Sequence, residues 1–147
     1  INLNKGIRQL LEFENQAPTY GDRVICLKNN ANAGIFNGMM GTVVSMSKGE
    51  VKGCLDAEIA LDGEDECFVG LISEKQFNNS LVDGKTLMRE INLFDFGYAL
   101  TVHKAQGSQA RRVVVFEERF PRMTDDLWRR WLYTAVTRAE KELYIVG

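Results

Sequence analysis

CLDAEIALDGEDECFVGLI, residues 54–72, alternates apolar and polar side chains on either side of a polar turn. Leu55, Ala57, Ile59 and Leu61 share one side of the first run, and residues 62–65, which contain Asp62-Gly63, return the chain into a second run at 67–72. A two-residue repeat puts one face on a core and Asp-Gly accepts a tight turn, so the stretch predicts a hairpin. Upstream, residues 15–22 are polar and broken by Pro18 and Gly21 before an apolar run at 24–27, read as a strand. Residues 29–41 carry four asparagines and three glycines, which tolerate tight or left-handed backbone, and lead into Thr42, Val43, Val44 and Met46. Short strands and tight turns across residues 22–72 predict a small barrel, because closure removes strand edges that so small a module has nothing else to cover. In residues 3–13, Leu3, Ile7, Leu10 and Leu11 lie at helical spacing, with Asn2 or Asn4 as a cap, and predict a short surface helix.

Beyond residue 90 the texture becomes α/β. Residues 90–100 read as a strand or extended run, 101–106 as a helical turn, and 113–116 as a continuous apolar strand of the kind covered on both faces. Thr124 or Asp125 caps a helix running to about residue 139, with Leu127, Trp131, Ala135 and Arg138 along one stripe that Trp128 and Leu132 widen. Residues 143–146 read as another short buried strand. Strand, helix and strand make part of a wound sheet whose other strands the chain does not supply.

The 147 residues are 45% hydrophobic and 26% charged, enough for one domain or for a core domain with a small inserted module. No apolar run approaches the roughly 18 residues of a membrane span, which argues against a membrane role. Cys26, Cys54 and Cys67 show no close metal-ligand spacing and no CxxC step, and His103 is the single histidine, so no metal site is expected and a reduced, cytoplasmic setting is. The chain opens at Ile1 without a methionine or a signal segment and reads as a piece of something longer. Its net charge of −2 is unevenly spread. Residues 50–76 hold eight acids against Lys52 and Lys75, whereas residues 101–141 hold nine bases against five acids. Both stretches also read as ordinary solvated surface, but a polyanion belongs on the second.

There is no phosphate-binding-loop pattern, no dinucleotide fingerprint, and no serine and aspartate at a recognisable spacing from His103. Two clusters remain. The first is TVHKAQGSQ, residues 101–109, after the expected strand end, where α/β sheets bind ligands. Lys104 offers a point charge to phosphate, Thr101 and Ser108 offer hydroxyls, and Gly107 allows close backbone approach, although a plain polar loop has the same composition. The second is WLYTAVTRA, residues 131–139, where Arg138 supplies a permanently charged, rigid fork suited to a transferring phosphoryl group. Arg138 reads equally as a partner for Glu142 or as a cation at the helix C-terminus. Trp131 is at core spacing, and Phe36, in the asparagine-rich loop, is the better aromatic for stacking on a base.

TVHKAQGSQ and YTAVTRA, residues 133–139, together resemble two late motifs of superfamily 1 DNA helicases in order and separation. GDRVI at 21–25, GIFNG at 34–38 and GTV at 41–43 narrow the resemblance to the RecD-like branch, the alpha subunit of exonuclease V and its relatives. The resemblance implies an incomplete RecA-like motor domain, residues 1–20 and 87–147, with an inserted small SH3-like β-barrel at 21–86. It implies that Thr101, His103 and Lys104 contact single-stranded DNA or couple to it, with Phe36 and Asn37 as further DNA contacts. Gly107, Ser108, Gln109 and Thr137 fall on the ATP and coupling side, although Gln109 stands where relatives commonly carry glutamate. Arg138 becomes the arginine that reaches the γ-phosphate across a cleft.

The same resemblance places the phosphate-cradling loop and the magnesium site in an upstream motor domain of the same polypeptide. ATP and Mg2+ would be held mainly there, none intrinsically by this fragment, and the isolated fragment is expected to be inactive. The expected function is the C-terminal portion of an ATP-dependent helicase moving 5′ to 3′ on single-stranded DNA, as a free enzyme or beside nuclease or helicase subunits. The competing expectation is a non-catalytic nucleic-acid-binding or partner-docking module.

Overall fold

The computed structural model describes residues 3–78 and 88–147, which form two compact units divided between Ala99 and Leu100. In the first unit, helix α1 (Leu3–Leu10) precedes strands β1 (Arg23–Cys26), β2 (Met40–Lys48), β3 (Cys54–Leu61), β4 (Cys67–Ser73) and β5 (Phe94–Phe96). The strands make an antiparallel sheet in the order β4-β3-β2-β1-β5. The hairpin predicted from residues 54–72 is present as β3 and β4, with Leu55, Ala57, Ile59 and Leu61 buried. They pack with Val24, Cys26 and Val43, with Phe68 against Phe94 at 5.3 Å between ring centroids, and with Phe77 against Phe96 at 5.0 Å. Each buried valine, leucine, isoleucine or phenylalanine among them contributes about 1.5–3 kcal/mol on leaving water. Gly41 is forced by this packing, since a Cβ there would lie 2.7 Å from the Ala60 carbonyl oxygen.

The small barrel predicted from residues 22–72 is not closed as a ladder: among the described residues no strand pairing joins β4 to β5. One residue bridges the gap. Asn92, just before β5, donates its backbone N–H to Leu71 O at 2.9 Å and accepts from Ser73 N at 3.0 Å, while its side chain donates to Leu71 O and accepts from Asn30. The boundary expected between residues 86 and 87 lies outside the described residues. Contacts group α1 and β5 with the strand-rich unit.

Helix α1 is the short helix that the spacing predicts, but its apolar residues are not its buried ones. Leu3, Leu10 and Leu11 are exposed and the buried residue is Arg8. The reason is a satisfied charge. Arg8 forks onto the fully buried Asp22 at 2.8 and 2.9 Å and donates to the carbonyls of Asn15 and Ala17, with its guanidinium 4.3 Å from the Phe96 ring centroid. Tyr98 donates to the same carboxylate at 2.8 Å. Of the two caps expected, Asn2 lies outside the described residues and Asn4 does not cap the helix. It accepts from the amides of Tyr98 and Ala99 and donates to Ala99 O, holding the last residues of the unit.

The second unit contains β6 (Ala110–Phe116), helix α2 (Asp125–Val136) and β7 (Ala139–Val146), with β6 and β7 paired in parallel. Thr124 is the cap, accepting from Leu127 N at 3.3 Å, and Asp125 and Asp126 place negative charge at the helix's positive end. The predicted strand, helix and strand are there, the last strand beginning earlier and the helix ending three residues sooner than expected. The expected burial is not found in this chain: Val114, Phe116, Tyr144 and Ile145 are exposed, and Val115 and Ala135 are the unit's buried apolar residues among those described. Two strands and one helix have too little surface to cover strands of this composition.

Candidate functional site

Residues 101–109 fold as successive turns, the helical turn expected at 101–106 among them. Ala105 N donates to Thr101 O at 3.0 Å, Ser108 N to Ala105 O at 3.1 Å, and Lys104 N to Thr101 Oγ1 at 3.3 Å. Gly107 closes the segment in the left-handed region at φ 82°, where a side chain would be strained. Thr101, His103, Lys104, Gly107 and Gln109 are exposed and Ser108 is half-buried.

Helix α2 delivers Arg138 to the same place. The cap residue Thr137 ends the helix, Arg138 N donates to Ala135 O, and Arg138 O accepts from Ala110 N at 2.9 Å, so the helix end is stitched to the start of β6. The half-buried guanidinium donates through Nε to Thr134 O at 3.0 Å, through Nη1 to Ser108 O at 3.1 Å, and through Nη2 to Thr137 Oγ1 at 3.1 Å. Thr137 Oγ1 in turn lies 2.9 Å from Tyr133 O and 3.1 Å from Thr134 O. Of the two other readings of Arg138, the ion pair with Glu142 is not formed: α2 ends at Val136 and Glu142 lies on β7, where residues four apart are not neighbours, and Arg112 meets that carboxylate at 3.1 Å across the β6–β7 pair. The interaction with the helix's last carbonyls is present.

Phe36 and Asn37 belong to the first unit and are exposed. Their backbone is fixed by Ile35, fully buried beside them, by Asn37 N donating to Asn29 Oδ1 at 2.7 Å, and by the short turn Ala31–Ala33 capped by Asn30. A shallow depression in this unit is lined by residues 15–19, the end of β2 and Leu55, and holds none of the residues selected from sequence. Sequence reading missed the Arg8–Asp22–Tyr98 cluster altogether. Its one available signal was an arginine on the same helix face as apolar residues.

The site's donors suit an anion: a guanidinium, two hydroxyls and an amide in one unit. A divalent cation needs carboxylates, and among the described residues no three His, Cys, Asp or Glu side chains come together.

Known proteins carry the same arrangement of sequence. Residues 96–146 match the UvrD-like helicase C-terminal domain family. The chain is similar to the C-terminal part of superfamily 1 helicases. It is 32% identical over 129 residues to the ATP-dependent RecD2 DNA helicase of Deinococcus radiodurans, covering 86% of this chain and 14% of that protein. It is 31% identical over 125 residues to the conjugal transfer protein TraA of Rhizobium radiobacter, covering 85% of this chain and 9% of that one. The chain thus spans a small fraction of the relatives it matches. In structure it resembles Bacteroides Pif1 bound to ssDNA, at TM-score 0.51, and the Pif1 helicase from Bacteroides in complex with ADP-AlF3 and ssDNA, at 0.53. Each likeness has 18% identity and covers 87% of this chain and 29% of the other, a likeness of fold.

Proposed function

We propose that the chain is the C-terminal portion of an ATP-dependent DNA helicase that couples ATP hydrolysis to 5′ to 3′ translocation on single-stranded DNA. The observation that carries this reading is the bond from Arg138 to the Ser108 carbonyl, which joins the two helicase-like segments at one charged group. The ATP-dependent DNA helicase activity for which the RecD2 relative is named and the ssDNA bound to the Pif1 neighbours support the choice of reaction and polymer. On this reading residues 1–20 and 87–147 are a partial second motor domain around an inserted SH3-like module at 21–86, with β5 adding the fifth strand on the returning chain. The protein works in the cytoplasm.

ATP and Mg2+ are held mainly by an upstream motor domain of the same polypeptide; when bound, they supply the transferable phosphoryl group and its countercharge. This chain's share is the opposite wall. Arg138 donates to phosphate oxygens whose charge grows in the transition state, where a preorganised donor lowers the barrier most. Ser108, Gln109, Gly107 and Thr137 shape that edge. Thr101, His103 and Lys104 grip the DNA backbone, so binding is largely independent of sequence and weakens with salt. Phe36 stacks on a base with Asn37 beside it.

DNA-stimulated ATP turnover of the complete polypeptide tests the proposal. Arg138→Ala lowers turnover by roughly 10² or more while nucleotide binding changes less; near-wild-type turnover removes Arg138 from the chemistry. Measurable turnover by the purified 147-residue fragment would overturn the assignment of the nucleotide to an upstream domain.

A further inference from the structure

The three anchors of Arg138 are of two kinds. Thr134 O and Thr137 Oγ1 belong to the end of α2 and stay with the arginine wherever the helix goes. Ser108 O belongs to the turn segment, next to the left-handed Gly107, and is a neutral acceptor thirty residues away in sequence. Thr137 also has a fixed polarity. Its one hydroxyl proton serves Tyr133 O or Thr134 O, so its lone pairs are what Nη2 meets. The hydroxyl is thus tied to the helix end that carries the arginine, while the Ser108 carbonyl is an acceptor from another segment.

We infer that the Ser108 carbonyl is a resting acceptor that Arg138 exchanges for a phosphate oxygen, and that Thr137 is the positioning residue that keeps the guanidinium aimed during the exchange. The inference rests on the reading of Arg138 as a phosphate-contacting group and adds to it a resting state and a brace. An anionic oxygen makes a stronger bond to a guanidinium than a neutral carbonyl does, so the exchange runs toward phosphate whenever the nucleotide is in reach. It also has a mechanical result. Losing Nη1 removes one of the bonds that hold residues 107–109, the end of the segment whose exposed residues Thr101, His103 and Lys104 face the DNA in the proposed enzyme. By linkage, DNA that favours the freed segment strengthens nucleotide binding by the factor by which nucleotide strengthens DNA binding.

The experiment uses the complete polypeptide. Thr137→Val keeps the shape and removes the acceptor; Thr137→Ser keeps the acceptor. Valine at 137 lowers kcat of DNA-stimulated ATP turnover roughly tenfold with KM for ATP altered much less, and serine restores most of it. Thermal unfolding of each variant shows that the fold is intact, and if the valine variant does not fold, Thr137→Ala takes its place in the same comparison. Wild-type kcat in the folded valine or alanine variant, or no recovery with serine, overturns the brace. For the resting acceptor, amide hydrogen exchange without nucleotide is compared between wild type and Arg138→Ala. Residues 106–110 exchange roughly threefold or more faster when the arginine is absent, and equal exchange overturns the resting contact. If Arg138→Ala leaves turnover unchanged, the parent reading of Arg138 fails; if turnover collapses while exchange and the Thr137 variants match wild type, this inference alone fails.

Discussion

Arg8 and Asp22 are the two charged residues buried in the first unit among those described. Asp22 accepts from two Arg8 nitrogens, from Tyr98 and from Thr19 N, so every carboxylate oxygen is occupied. Removing one partner strands the other in a low-dielectric site, and Arg8→Ala is expected to cost about 3–5 kcal/mol in urea unfolding; a loss below 1 kcal/mol would contradict the burial. Tyr98 gives a pH test. Burial, the largest influence, pushes its phenol above its ordinary value, and the Asp22 carboxylate adds to the push, against the opposing bond from Arg23 N. A group whose folded value is raised contributes stability that is complete below its unfolded value, near 10, and is lost as pH climbs through the folded value. Tyr98→Phe should flatten that alkaline loss, and identical stability curves above pH 10 would contradict it. Little of this was legible in sequence: an arginine on an amphipathic helix is a weak signal, and it and an aspartate before a strand look solvated until the fold brings them together. Lys104, by contrast, stands exposed where its sequence context placed it. Lys104→Ala in the complete polypeptide should weaken single-stranded DNA binding and lower the salt slope by about 1, read from affinities at two salt concentrations.

At the scale of elements, β3 shows what period alone can decide. Leu55, Ala57, Ile59 and Leu61 had one face to share, the turn chemistry followed them, and the hairpin register runs unbroken from Cys54 opposite Ser73 to Ala60 opposite Cys67. Neighbour geometry is another matter. Gly41 is tight because β2 crosses close to Ala60, and Gly41→Ala is expected to destabilise by about 1–3 kcal/mol, measured by thermal or urea unfolding. In β6 and β7 the composition correctly announced strands and not their burial, since burial depends on what lies on each face. The same holds for the site. The residues of 101–109 and 131–139 were legible as two clusters, but the bond between Arg138 and Ser108 was not, because β6–β7 pairing and the Ala110–Arg138 backbone bond are what set their separation.

At the scale of the molecule, the two units divide the charge as the sequence does. The acidic stretch 50–76 lies in the strand-rich unit, and the basic stretch 101–141 lies in the unit that carries Arg138. The basic stretch and Arg138 thus belong to one small α/β unit, in a chain whose relatives are roughly six to nine times its length, as 129 residues at 14% coverage and 125 residues at 9% imply. The central claim is that this piece lends its arginine to charge developing on a phosphoryl group. Its most direct test is the affinity of the complete polypeptide, with single-stranded DNA present, for ADP–aluminium fluoride relative to ADP. In the wild-type protein the transition-state mimic binds more tightly, and Arg138→Ala lowers that preference by roughly 10² while leaving ADP affinity nearly unchanged. An equal preference in both proteins would contradict the claim.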